Sequence, residues 1–241
     1  MKPGDVATGE LLAFLSGALP PPPARVLEVG GGRGDLALAL TRRNYLVTVV
    51  DCDAEAITIA RAAGVPAVEA DWLAYDAGPQ DALLFTRSLH HISKLSEAVA
   101  RAAQTVRSGG VVVVDEFARE RADAATACFF YDLRAVLSAA DVLMLPDAEI
   151  PADPLERWEQ EYGGRREHPL HTGAAMVEAI RNRFSVEVMA ECPYVYRHFA
   201  QSLEESERGA AVARALLAVE RRRLAEERSW PSGSEWLPGP E

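Results

Sequence analysis

From residue 25 to residue 117, short apolar runs rich in Val, Leu and Phe alternate with longer segments rich in Ala and Leu. That alternation predicts βαβ units wound around a parallel sheet. The strand candidates are residues 26–29, 46–50, 67–69, 82–85 and 111–114. The last has no polar alternation, the pattern of a strand covered on both faces. Between them, residues 35–44, 54–63 and 95–106 carry helix formers at crossover length, and Gly64 and Gly109 follow two of them as stop signals.

Outside this block the pattern changes. Residues 11–19 predict a helix stopped by the proline run 20–23. Residues 120–140 predict one long helix, and the proline-punctuated stretch 145–169 carries Trp158, Tyr162 and His168, with His171 nearby. Residues 173–183 resume a helix, 184–190 alternate as a strand, and 203–228 form a helix whose mixed Glu and Arg mark a solvated face. One domain over 1–241 is expected. It comprises an N-terminal helix and Pro-rich turn (1–24), a core (25–117), a mainly helical lid insertion (118–183), and C-terminal strands and a helix (184–241).

At 241 residues and 49% hydrophobic, the chain can bury a sizeable core. Its formal charge of −11 repels a phosphate backbone, so a nucleic-acid partner is not expected. Cys52, Cys128 and Cys192 lie far apart with no C-x-x-C spacing, which suggests neither a disulfide framework nor a structural zinc. No apolar run reaches the roughly 20 residues that span a bilayer, so no membrane partner is expected and a reducing cytoplasm fits best.

The densest chemistry is Val26-Leu-Glu-Val-Gly-Gly-Gly-Arg-Gly-Asp35, a strand running into a glycine-rich turn and then a helix. Such glycines let a backbone approach a ligand closely. Two frames fit: Glu28-x-Gly30-x-Gly32-x-Gly34, and the dinucleotide pattern Gly32-x-Gly34-x-x-Ala37. The first uses more residues and places an acid at the strand end, where a carboxylate can hold an ammonium group.

In that frame the sequence resembles the class I S-adenosylmethionine-dependent methyltransferases of small molecules. The resemblance implies a Rossmann-like α/β fold, a mostly parallel seven-stranded sheet with helices on both faces, and S-adenosyl-L-methionine as cofactor. It implies that Asp51, ending the second strand beside Cys52, binds the ribose diol, in preference to Asp53. It further implies that Asp71 meets the adenine amino group, that Trp72 flanks the adenine ring, and that Phe85 and Thr86 lie beside the methionine part. For Asp71 an ordinary turn cap, and for Trp72 plain packing, remain the alternatives. Ser108-Gly-Gly110 matches the family's Pro-Gly-Gly turn, with Ser108 in place of proline.

The resemblance continues through residues 81–92, where Leu89-His-His-Ile partly matches a Leu-His-Asp-Trp motif of O-methyltransferases. It implies His90 as the base for a hydroxyl proton and Glu116 as the acid that steers it. The alternative is that His90 or His91 caps a helix or packs in the core. Asp115 and Glu116 are adjacent and should point to opposite faces of their strand, so no metal site is expected. His168 and His171 read as loop surface residues. Phe129, Phe130, Trp158 and Tyr162 are the candidate lining of a small-molecule acceptor site under the insertion.

Two rival classes stay open: an NAD-dependent oxidoreductase and a non-catalytic S-adenosylmethionine-binding module. Against the first, there is no Tyr-x-x-x-Lys pair and lysine is confined to Lys2 and Lys94. Against the second stands the set Glu28, Asp51, Asp71 and His90. The reading allows a homodimer.

Overall fold

A computed structural model of the chain describes residues 1–144, 150–162 and 170–229, and His168 lies outside them. Five parallel strands form one sheet: β1 (Arg25–Val29), β2 (Leu46–Asp51), β3 (Ala67–Glu69), β4 (Gln80–Thr86) and β5 (Val106–Asp115). Their spatial order is β3-β2-β1-β4-β5. The order reverses between β1 and β4, so the C-terminal ends of those two strands open a crevice at a topological switch point, where α/β sheets of this Rossmann-like kind bind ligands.

Nine helices occupy the described residues: α1 (Pro3–Ala18), α2 (Asp35–Thr41), α3 (Ala54–Ala62), α4 (Leu95–Thr105), α5 (Ala124–Ala139), α6 (Pro154–Tyr162), α7 (Gly173–Arg181), α8 (Val195–Ala200) and α9 (Glu207–Ser229). Period-two alternation along the strands divides the core between the two faces. Val26, Val47, Val49, Ala82, Leu84 and Val113 face α1, α2 and α3. Leu27, Val29, Leu83 and Phe85 face α4 and α7 on the opposite side. The spacing of Leu95, Ala98, Val99 and Ala102 at i, i+3, i+4 and i+7 explains how α4 buries one stripe there. A further core joins α5, α6, α8 and α9 to Val6 of α1.

Two expectations are corrected. The sheet has five strands among the described residues, not seven, and residues 184–190 form no strand. Their alternating apolar positions find no neighbouring edge: Val188 and Met189 are 70% and 67% exposed. The expected C-terminal strands reduce to an isolated antiparallel bridge between Leu143 and Leu203. The described helices of the stretch 118–183 join two different parts of the core. Helices α5 and α6 join the α8–α9 core, while Met176 and Ile180 of α7 join α4 on the sheet.

The helical layer is tied to the sheet by charge. Asp115, the last residue of β5, shares the face of Val113 and pairs with Arg197 of α8 at 2.6 Å, both nearly fully buried. Nearby, the Glu220 carboxylate of α9 accepts the backbone N–H groups of Val195 and Tyr196 at 2.8 and 3.0 Å, satisfying the first turn of α8. Burial of one charge without the other is strongly unfavourable. Asp115→Ala is therefore expected to lower the unfolding free energy by about 3 to 5 kcal/mol in urea titrations. The double variant Asp115→Leu/Arg197→Met should recover most of that loss, since no isolated charge remains buried.

Candidate active site

The glycine turn leaves β1 at the switch point. Gly30, Gly32 and Gly34 all have left-handed backbone, with φ of 68°, 53° and 78°. A Cβ at Gly30 would collide with the Ser88 side chain, whereas one at Gly32 would meet nothing within 4 Å. Gly30 is thus required by packing, and Gly32 presents bare backbone to open space. The Asp51 carboxylate fixes this turn, accepting the Gly32 N–H at 2.8 Å through Oδ2 and the Asp53 N–H at 2.9 Å through Oδ1. Each oxygen keeps acceptor capacity for a hydroxyl. Asp53 is occupied as the N-cap of α3, accepting from Glu55 and Ala56, and Cys52 is exposed between the two acids.

Glu28 is the site's unusual group. Its side chain points to the α2 face, only 2% exposed, and Oε1 accepts the Thr86 hydroxyl at 2.8 Å. Strand register explains the contact, since Glu28 lies opposite Leu84 and Thr86 is two residues further on the same face. Its other oxygen, Oε2, is buried with no partner among the described residues. Burial pushes the Glu28 carboxyl up to about 7, against the opposing effects of the Thr86 hydrogen bond and the Arg87 charge.

Three residues expected at the cofactor also have structural partners of their own. Trp72 is 4% exposed, donates its indole N–H to the Ala98 carbonyl at 3.2 Å and packs edge-on against Phe85. Phe85 is itself 1% exposed. Both rings belong to the core beneath α4. Asp71 is exposed and closes its own turn by accepting the Leu73 N–H at 2.8 Å.

At the other side of the crevice, β4 ends in a short turn, Leu89–His91. His90 Nδ1 lies 2.5 Å from Glu116 Oε2, and Glu116 Oε1 accepts the Leu89 N–H at 2.6 Å. One residue after Asp115, Glu116 emerges on the opposite face, so the two adjacent acids serve two separate partners. A carboxylate at Nδ1 favours the tautomer protonated there, leaving the lone pair on Nε2. No group of three or more candidate metal ligands occurs among the described residues. His171 also has a structural place here: its N–H donates to the His90 carbonyl at 3.1 Å and its ring Nε2 lies 2.9 Å from the Ile92 carbonyl, docking the start of α7 on this turn.

The aromatic residues expected to line an acceptor site mostly pack each other. Phe130 and Trp158 are 2% and 3% exposed, with ring centroids 5.1 Å apart. Sequence reasoning places Thr86 at the crevice beside Phe85 but misses Arg87, Phe117, Tyr194 and His198. Phe117 and Tyr194 stack at 3.9 Å with rings almost parallel, and His198 lies 5.1 Å from Tyr194. The strand parity of Thr86 was a readable signal. Tyr194 and His198 carried none, since they arrive from a distant element.

Residues 5–166 match the family described as "Methyltransferase domain". The chain belongs to that family. It is 33% identical over 128 residues to a ubiquinone biosynthesis O-methyltransferase of Xylella fastidiosa (strain 9a5c), covering 49% of this chain and 52% of that protein. It is 34% identical over 106 residues to the protein of the same name from strain M23, covering 40% and 43%. The chain thus spans about half the length, or less, of the curated relatives it matches. Among solved structures, the sugar N-methyltransferase KedS8 from Streptoalloteichus sp. ATCC 53650 is similar at 25% identity with a TM-score of 0.37, over 40% of this chain and 42% of that one. No helix among the described residues is long and apolar enough to cross a membrane.

The raised Glu28 carboxyl makes the free protein's stability depend on pH. Between its ordinary value of 4.5 and about 7 the folded state holds a proton that the unfolded state has lost, so stability falls as pH rises through that window. Glu28→Gln should remove the slope. At pH 8 that variant is expected to be more stable than the wild type by about 3 kcal/mol, and equal to it near pH 4, in urea titrations of ligand-free protein.

Proposed function

We propose that the protein transfers a methyl group from S-adenosyl-L-methionine to a hydroxyl of a small-molecule acceptor. The observation that carries the reading is the His90–Glu116 pair, a 2.5 Å contact beside the glycine turn at the switch point. The cofactor supplies a methyl group already activated on a sulfonium sulfur. The residues present fit it: the unpartnered Glu28 Oε2 suits an ammonium, bare Gly32 backbone allows close approach, and Asp51 can accept from two ribose hydroxyls. Asp71 remains the residue proposed for the adenine edge.

In this reading the chain's own part in the reaction is alignment and proton removal. Glu116 holds the His90 ring through Nδ1, and Nε2 takes the hydroxyl proton of the acceptor. The oxygen-methylating relatives support a hydroxyl as the acceptor group.

Two outcomes test the assignment. Asp51→Ala should weaken S-adenosylhomocysteine binding by roughly 30- to 150-fold in calorimetry, the loss of about 2 to 3 kcal/mol of charge-assisted hydrogen bonding. Unchanged affinity would remove Asp51 from the site. His90→Ala should lower turnover by roughly 10²- to 10⁴-fold with S-adenosylhomocysteine affinity intact, because proton removal matters only in the transition state. A variant that turns over at the wild-type rate would leave His90 no chemical role.

A further inference from the structure

Arg87 is the first residue beyond β4 and stands in the left-handed region at φ 60°. A non-glycine residue is held there at some expense in backbone energy, and such positions cluster at functional sites. The conformation is locked, since the Arg87 N–H donates to the Asp115 carbonyl at 2.8 Å and so extends the β4–β5 ladder by one rung. Asn or Gly would suit the backbone better, so the arginine side chain itself is what this position supplies.

That side chain is exposed, and its guanidinium has no hydrogen bond or ion pair among the described residues. In a chain of net charge −11, an uncommitted cation beside the candidate site is notable, whereas Arg107 is engaged with Asp81 and Arg197 with Asp115. Its surroundings place it between two parts of the crevice. The charge acts on Glu28 on one side, and on Tyr194 and His198 on the other. Burial and the nearby cation drive His198 down to about 4, so its ring is neutral at physiological pH and does not compete with Arg87 for an anion. Beside it the stacked Phe117 and Tyr194 form a flat wall, and Phe117 directly follows Glu116.

We propose that Arg87 is the acceptor-binding residue that selects an anionic substituent, and that the methyl acceptor is an aryl hydroxyl carrying a carboxylate. The ring lies against Phe117 and Tyr194, its hydroxyl toward His90 and its carboxylate on the Arg87 fork, which suits a planar two-oxygen anion. This inference rests on the methyl-transfer reading for the direction of the hydroxyl, and its anion site can be measured separately. The competing role for the same cation is to hold the carboxylate of the cofactor's methionine part.

The test is calorimetry on the full chain saturated with S-adenosylhomocysteine, titrated with 3,4-dihydroxybenzoate and with catechol, its neutral counterpart. The wild type should bind the carboxylated probe about 10- to 100-fold more tightly than catechol. Arg87→Gln should abolish that ratio, Arg87→Lys should keep part of it, and S-adenosylhomocysteine affinity should be the same in all three. Equal binding of both probes by the wild type, or a ratio that survives Arg87→Gln, overturns the proposal. So does a fall in S-adenosylhomocysteine affinity in Arg87→Gln, which assigns the cation to the cofactor. Turnover with the same two probes and S-adenosylmethionine tests the other reading: carboxylate-dependent binding without methylation would defeat hydroxyl methylation of this class and leave the anion site standing.

Discussion

The end of β5 places two carboxylates in consecutive positions, and strand geometry sends them to opposite faces of the sheet. Asp115 goes to the buried guanidinium of Arg197, which fixes α8 and, through Glu220, the long helix α9. Glu116 goes to His90 and to the backbone of the turn after β4. One strand terminus therefore holds both the helical layer that brings Tyr194 and His198 to the crevice and the imidazole that faces it. A residue inserted or lost in β5 would exchange the two acids between faces and undo both arrangements at once.

The opposite side of the crevice is held by groups whose energetics favour binding over stability. Glu28 is an acid buried beneath the glycine turn with half of its hydrogen-bonding capacity unmet. An apolar residue there would make a more stable sheet, because no desolvated carboxyl would remain. A cationic ligand group offers the compensation that the chain alone does not provide, and the same ligand would draw the carboxyl back toward its charged form. Arg87 repeats the theme, with a strained backbone and an exposed cation at the strand end next door. Departures from local preference collect around this crevice, as expected where function sets the residue choice.

The helical layer shows how an aromatic-rich sequence can mislead about function. Phe130, Trp158 and Tyr162 suggested a ligand-lining surface, yet they pack with Tyr131, Tyr196 and Phe199 in the space among α5, α6 and α8. Their edge-to-face contacts form a core of their own, which rigidifies the ground on which Tyr194 and His198 stand. The wall beside the candidate site is thus the margin of that core.

What the sequence determined by itself was local and periodic. Alternating β-rich and Ala/Leu-rich segments gave away all five strands and their crossover helices, because each segment's burial pattern repeats with the period of its own backbone. The glycine turn and the opposed pair Asp115 and Glu116 were legible for the same reason, since each follows from chain geometry within a few residues. Tertiary structure alone decided the rest. Residues 184–190 alternate like a strand but find no edge to pair with, and Trp72 and Phe85 are buried in the core under α4. Arg87, Tyr194 and His198 meet across more than a hundred residues of chain. Pairing, burial and long-range charge depend on which surfaces the finished fold brings together, and no period in a single chain encodes that.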